Sequence, residues 1–96
     1  MLHVGQTLEL RAKIDAADRD IIEMLARRMA LVEKIGEFKK QNNVTILQME
    51  RWNEIFKTRP EWAAKMGLKE QFVAELYKLI HLESIRKQRE IMERGD

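Results

Sequence analysis

With 96 residues, 45% hydrophobic and 35% charged, the chain reads as one soluble globular domain and not as a disordered segment. It has no cysteine, which removes disulfides, thiolate metal sites and Cys nucleophiles together, and its two histidines, His3 and His81, do not make a metal cluster. No metal and no cofactor are therefore expected. A formal charge of +2, with basic residues interleaved among acids, argues against nucleic acid as a partner. No apolar run approaches the roughly 20 residues of a membrane span, and the N-terminus lacks a basic region followed by an apolar core, so no membrane association is expected and the cytoplasm is the expected compartment.

Only Pro60 and four glycines punctuate the chain, which predicts an almost wholly helical, all-α protein. Residues 1–6 carry no usable pattern. From about residue 7 to residue 41 there is one glycine, no proline, and apolar residues at helical spacing: one helix, roughly 50 Å long. Measured from Arg28 at 100° per residue, Leu10, Ile14, Ala17, Ile21, Val32 and Ile35 fall within about 40°, and Lys39 about 20° away. Asp15, Arg19, Glu23, Glu33 and Glu37 take the opposite side, as a solvated face should. Arg28 and Lys39 are thus cations in an apolar stripe. An unpaired buried charge costs several kcal/mol, so they need an anion, and the stripe supplies too few acids.

After the polar break at Gln41-Asn42-Asn43-Val44, Thr45-x-x-Gln48 has the form of a capping box and predicts a short second helix to about residue 58. Arg59-Pro60 is expected to end it. Pro60 then opens a further turn or two that stops at Gly67, and a last helix runs over about 69–94. The second helix places Gln48, Arg51, Trp52 and Ile55 on one face. On the last helix, Val73, Tyr77, Ile80 and Ile91 lie within about 40° of Ser84, and Gln88 follows on the same line one turn later. Cations from the first two helices and neutral donors from the last are placed to converge on one anionic ligand.

Each of these residues also has a plain structural reading. Ser84 can bond the carbonyl of the preceding turn, and Gln88 can be satisfied by backbone. Arg51 suits the surface, Gln48 the capping box. Lys39 can cap carbonyls near its helix end, and Arg28 can pair with Glu83. His81 reads as a helix-flank residue, and Trp62 with Phe72 as core. Five coincident polar interruptions of inward faces are harder to explain by such readings jointly than singly.

Arg11, Arg28, Lys39, Arg51, Ser84 and Gln88, with Leu10-Arg11-x-Lys13-Ile14-Asp15, Leu25-Ala26-x-Arg28, Ile35-Gly36-x-x-Lys39 and Glu83-Ser84-x-x-x-Gln88 around them, resemble the active-site pattern of the all-helical (type II) chorismate mutases. The resemblance runs from about Leu8 to Met92. It implies a three-helix fold with one long N-terminal helix, an intertwined homodimer, and rearrangement of chorismate to prephenate in phenylalanine and tyrosine biosynthesis. It further implies that Arg28, with Arg11 supplied in trans, binds the two substrate carboxylates. Lys39 and Gln88 would donate to the ether oxygen, Arg51 would bind a carboxylate, and Ser84 would line the pocket. Geometry agrees on the dimer: Arg11 and Arg28 are about 25 Å of helix rise apart, too far to hold one small molecule from one chain. Arg11 acts in trans or is uninvolved.

The chain departs from the family where acidic residues commonly contact the ring hydroxyl, having Gln48 and Trp52 there. Gln48 can still bond a hydroxyl; Trp52 offers only an indole N–H. The stretch Arg59-Pro60-Glu61-Trp62-Ala63 through Gly67-Leu68 also resembles the isochorismate-pyruvate lyases on this scaffold, which typically have an apolar residue where this chain has Ser84. A helical dimerisation or regulatory module is the remaining alternative, since such mutase domains occur fused to other shikimate-pathway enzymes. In that frame residues 8–94 are the mutase domain and residues 1–7 an N-terminal extension or linker remnant.

Overall fold

The structure, a computed structural model, describes residues 2–95, with side chains from residue 4 onward; Met1 of the expected extension and the side chain of His3 lie outside the described residues. Three helices make up the fold: α1 (Leu2–Gln41), α2 (Met49–Lys65) and α3 (Glu70–Glu93), with no strand among the described residues. The all-α, three-helix expectation holds. None of the helices is long and apolar enough to cross a membrane.

Helix α1 starts five residues earlier than the pattern suggested, because residues 2–6 contain no proline and only Gly5 disfavours the helix. It stops where the sequence placed the break. Asn43 takes a left-handed φ of 54°, and the Val44 N–H reaches back to the Lys39 carbonyl at 2.8 Å, the six-to-one bond of a Schellman ending.

Two expectations for α2 are corrected. The capping box does not form: the helix begins at Met49, Gln48 is its N-cap without a side-chain cap bond, and the Gln48 amide instead donates to the Thr45 carbonyl at 2.9 Å. The Ile46 carbonyl is drawn to the Lys39 ammonium at 2.6 Å, which holds the 44–48 backbone outside the helix. Nor does Arg59-Pro60 end the helix, for Pro60 lies inside it. Proline removes one backbone bond and crowds the preceding turn, at a cost of about 3 kcal/mol. Ile55 and Ala63, buried on either side of it, anchor the helix across the defect, since an aliphatic side chain the size of Ile55 contributes roughly 1.5–3 kcal/mol on full burial. The helix ends instead at Lys65 and is closed by Gly67, whose φ of 79° favours glycine, with Leu68 N–H to Ala63 O at 2.8 Å and Gly67 N–H to Ala64 O at 3.2 Å.

The chain forms two compact units, Met1–Leu31 and Val32–Asp96. The first is helix alone, and Leu8, Leu10, Ile14, Ile21, Ile22 and Leu31 are each more than half exposed on it. The second combines the end of α1 with α2 and α3 packed on one another, around Val32, Ile55, Ala63, Val73 and Ile91. Trp62 and Phe72, expected in the core, are about half exposed. Trp62 is engaged on the surface instead, with the Arg59 guanidinium 4.4 Å from its ring centre.

Candidate functional site

Within the second unit the last turns of α1 meet α3 at a pair of polar side chains. Lys39 is half-buried, and its ammonium donates to Gln88 Oε1 at 2.9 Å as well as to the Ile46 carbonyl. Gln88 is 8% exposed and Ser84 7%, the two buried polar residues of a core that is otherwise aliphatic. Gln88 Nε2 donates to the Ser84 carbonyl at 3.3 Å, and Ser84 Oγ donates to the Ile80 carbonyl at 2.7 Å. The plain reading of Ser84 is realised and that of Gln88 in part, while Lys39 bonds a loop carbonyl beyond α1 and not the last carbonyls of its own helix; these bonds still leave hydrogens over. An ammonium has three donors and a primary amide two. One N–H of Lys39 and one of Gln88 remain after these bonds are counted. Because Lys39 occupies Oε1, the side of Gln88 that stays available is the donating side.

Burial pushes the Lys39 ammonium below its ordinary pKa by making the charged form harder to solvate. Among the described residues no carboxylate is bonded to it, and acids on α3 are occupied on the surface. Glu83 accepts from Arg86 at 2.5 Å, a bond that holds its carboxyl below the usual carboxylate range, and Glu90 is engaged by Arg86 and, more distantly, by Lys87 and Arg94. Glu33 lies 3.9 Å from Lys87 and 3.8 Å from Arg94. A half-buried cation paired only with neutral acceptors is the environment that a small anion would complete.

Arg51 is exposed and held by Glu54 one turn along α2, and Gln48 is exposed with its amide on Thr45. Arg11 is exposed and Arg28 half-buried, both on the first unit. Trp52 is not loose on the face of α2. Its ring stacks on His81 of α3 with centroids 3.4 Å apart and planes 21° from parallel, and Phe56 meets it edge-on at 3.7 Å. His81, read from the sequence as a helix-flank residue, is thus an inter-helix contact one turn before Ser84. Sequence reasoning also missed the Ile46 carbonyl, since no side-chain pattern reports a backbone acceptor.

Three helices that set a half-buried lysine against a buried amide define an all-α protein with a polar pair at its core. The chain belongs to the chorismate mutase type II family, whose model matches residues 10–89. Among its relatives, a bifunctional chorismate mutase/prephenate dehydratase of Buchnera aphidicola is 31% identical over 91% of this chain and 23% of its own length. A 4-amino-4-deoxychorismate mutase of Streptomyces pristinaespiralis is 30% identical over 90% of this chain and 67% of its own. An isochorismate pyruvate lyase of Pseudomonas aeruginosa is 35% identical over 76% of this chain and 72% of its own. The chain spans under a quarter of the bifunctional relative's length. No solved structure gives a significant match.

Proposed function

We propose that the chain is a chorismate mutase, an isomerase that converts chorismate to prephenate, and that it works as a homodimer in the cytoplasm. Residues 8–94 form the catalytic domain, and residues 1–7 lead into it. The observation that carries this reading is the Lys39–Gln88 pair, 2.9 Å apart, each with a donor to spare. In the rearrangement one C–O bond breaks while one C–C bond forms in a single cyclic shift of electrons, with no nucleophile and no proton transfer. The catalyst has to hold a dianion in a compact chair and stabilise the negative charge that grows on the ether oxygen. A fixed ammonium and a fixed neutral amide suit that task. In this reading Lys39 and Gln88 donate to the ether oxygen while Arg28, Arg51 and Arg11 of a second subunit bind carboxylates. Ser84 lines the pocket and Gln48 meets the ring hydroxyl, Arg51 exchanging Glu54 for substrate.

The exposed apolar stripe supports the dimer. Leu10, Ile14 and Ile21 lie on a helical unit with no other element of its own to cover them, and contiguous exposed apolar surface of this kind marks a binding face. Mixing an Arg11→Ala chain with an Arg28→Ala chain is expected to restore activity, since one site in each heterodimer regains both arginines. If subunit exchange is verified and no activity returns, Arg11 does not act in trans.

The names of the relatives set the substrate test. Chorismate, 4-amino-4-deoxychorismate and isochorismate are supplied separately to the purified chain and the products identified. Prephenate from chorismate as the dominant reaction is expected. Preference for the amino substrate, or pyruvate from isochorismate, would move the assignment to the corresponding relative, and inertness toward all three would favour a dimerisation or regulatory module. Such a module, possible in the fusions that the bifunctional relative exemplifies, has no use for spare donors at Lys39 and Gln88.

A further inference from the structure

We propose that Gly36 is a positioning residue for the Lys39–Gln88 donor pair, an inference that rests on the reading of that pair as the groups facing the breaking bond. Gly36 is buried in the interior of α1, where glycine is the least favoured residue apart from proline, so something other than helix formation requires it. The requirement is on α3. A methyl group at position 36 would stand 3.1 Å from Ile91 Cδ1, 3.4 Å from Gln88 Cγ and 3.5 Å from Gln88 Cα. The first distance is tighter than ordinary carbon contacts allow, and Ile91, 1% exposed, is packed on every side. The missing side chain therefore lets α1 meet α3 closely at Gln88 itself. Lys39 follows Gly36 by three residues on the same side of α1, so the close approach and the 2.9 Å bond belong to one crossing point.

With alanine at position 36, Ile91 has to rotate or α3 has to retreat by a few tenths of an ångström. Either change is transmitted to Gln88, one turn from Ile91, and loosens the bond that presents its amide. Donors aimed at a developing charge lose their value when misplaced, whereas a substrate held mainly by arginines elsewhere still binds. Gly36→Ala is thus expected to lower kcat on the order of tenfold with KM changed less than about twofold. Ile91→Val deletes the atom that meets the new methyl most closely. On its own it should leave kcat near wild type, and combined with Gly36→Ala it should recover most of the loss.

The test has two readouts. The first is kcat and KM for wild type, Gly36→Ala, Ile91→Val and the double variant, on whichever substrate the wild type turns over. The second does not depend on activity: the Gln88 side-chain NH2 signals in 15N-edited spectra, assigned by their loss in Gln88→Leu. They should move in Gly36→Ala toward their position in Lys39→Met and return in the double variant. Wild-type kcat or unmoved Gln88 signals in Gly36→Ala would overturn the proposal, as would no recovery in the double variant. If Gly36→Ala alone does not fold, the double variant carries the test: Gln88 signals at the wild-type position support the role, and displaced ones overturn it. Failure of the underlying reading looks different, since Lys39→Ala and Gln88→Ala would then retain activity while the spectra still report the geometry.

Discussion

The two units of the chain carry the same apolar stripe on the same helix and treat it differently. On residues up to 31, Leu10, Ile14 and Ile21 remain more than half exposed, whereas from residue 32 onward Val32 and the neighbouring Gly36 are buried and, of the stripe, only Ile35 is still about half exposed. Periodicity specifies which face of a helix is to be covered and says nothing of what covers it. In the second unit α3 closes on it at Gly36, and the result is a core with a polar pair set into it. In the first unit α1 is the one element among the described residues, and the proposed second subunit is what covers its stripe. A charge introduced at the two ends of the stripe should therefore act through different equilibria.

The largest effect is expected from breaking the first region. Ile21→Asp puts a carboxylate in the middle of the exposed stripe, where an isolated helix tolerates it and an apolar interface does not. Sedimentation should show monomers and activity should vanish, because every proposed site then lacks Arg11. A fully active dimer with Asp at position 21 would show that the stripe is not the subunit interface. Breaking the second region costs less. Removing one donor aimed at a developing oxyanion typically lowers turnover about 10²–10³-fold, and Lys39→Ala and Gln88→Ala are each expected in that range, with the dimer intact. A loss below tenfold in both would remove the pair from the chemistry. Lys39→Ala also gives up the bond that holds the Ile46 carbonyl, and a hydrogen bond of a charged group contributes about 1.5–3 kcal/mol, so thermal stability should fall modestly in that variant.

The same contrast explains what was legible in the sequence. The long helix, its end at Asn42-Asn43, the Gly67 stop and the inward faces of Ser84, Gln88 and Lys39 all follow from periodicity and turn chemistry, which are local. The errors are those of tertiary context. Pro60 reads locally as a breaker, but burial of Ile55 and Ala63 on either side outweighs the lost bond. Thr45-x-x-Gln48 reads locally as a cap, but Lys39 claims the Ile46 carbonyl and moves the start to Met49. Trp62 and Phe72 read as core by composition, whereas the faces that bear them are left uncovered in this chain. Of the candidate site, Lys39, Ser84 and Gln88 come together as their stripe positions require. Gly36 was visible as a glycine in a helix, but its role depends on a distance to α3 that no one-dimensional pattern encodes.

The smallest expected effect is a shift in pH dependence, and it separates the catalytic role of Lys39 from its part in stability by sign. Burial lowers its pKa, so in the free enzyme the ammonium loses its proton at lower pH than an ordinary lysine. A neutral amine is a poor partner for a developing oxyanion, and kcat/KM, which reports the free enzyme, should decline on an alkaline limb that begins below the usual lysine range. Stability runs the other way. A lysine whose folded pKa is depressed opposes folding while it is charged, and that penalty fades as pH rises from the folded toward the unfolded value, where the unfolded chain holds more protons. The contribution is small, because Lys39 is only partly buried and solvent screens it. Activity should thus fall over a window in which Lys39 itself does not promote unfolding. Lys39→Arg replaces the ammonium with a guanidinium that does not titrate there, so the variant, although slower, should lose this limb. The measurement is kcat/KM from pH 7 to 10 for both proteins, with circular dichroism at each pH. An identical alkaline limb in Lys39→Arg would assign the titration to another group and remove the Lys39 charge from the rate-determining interaction.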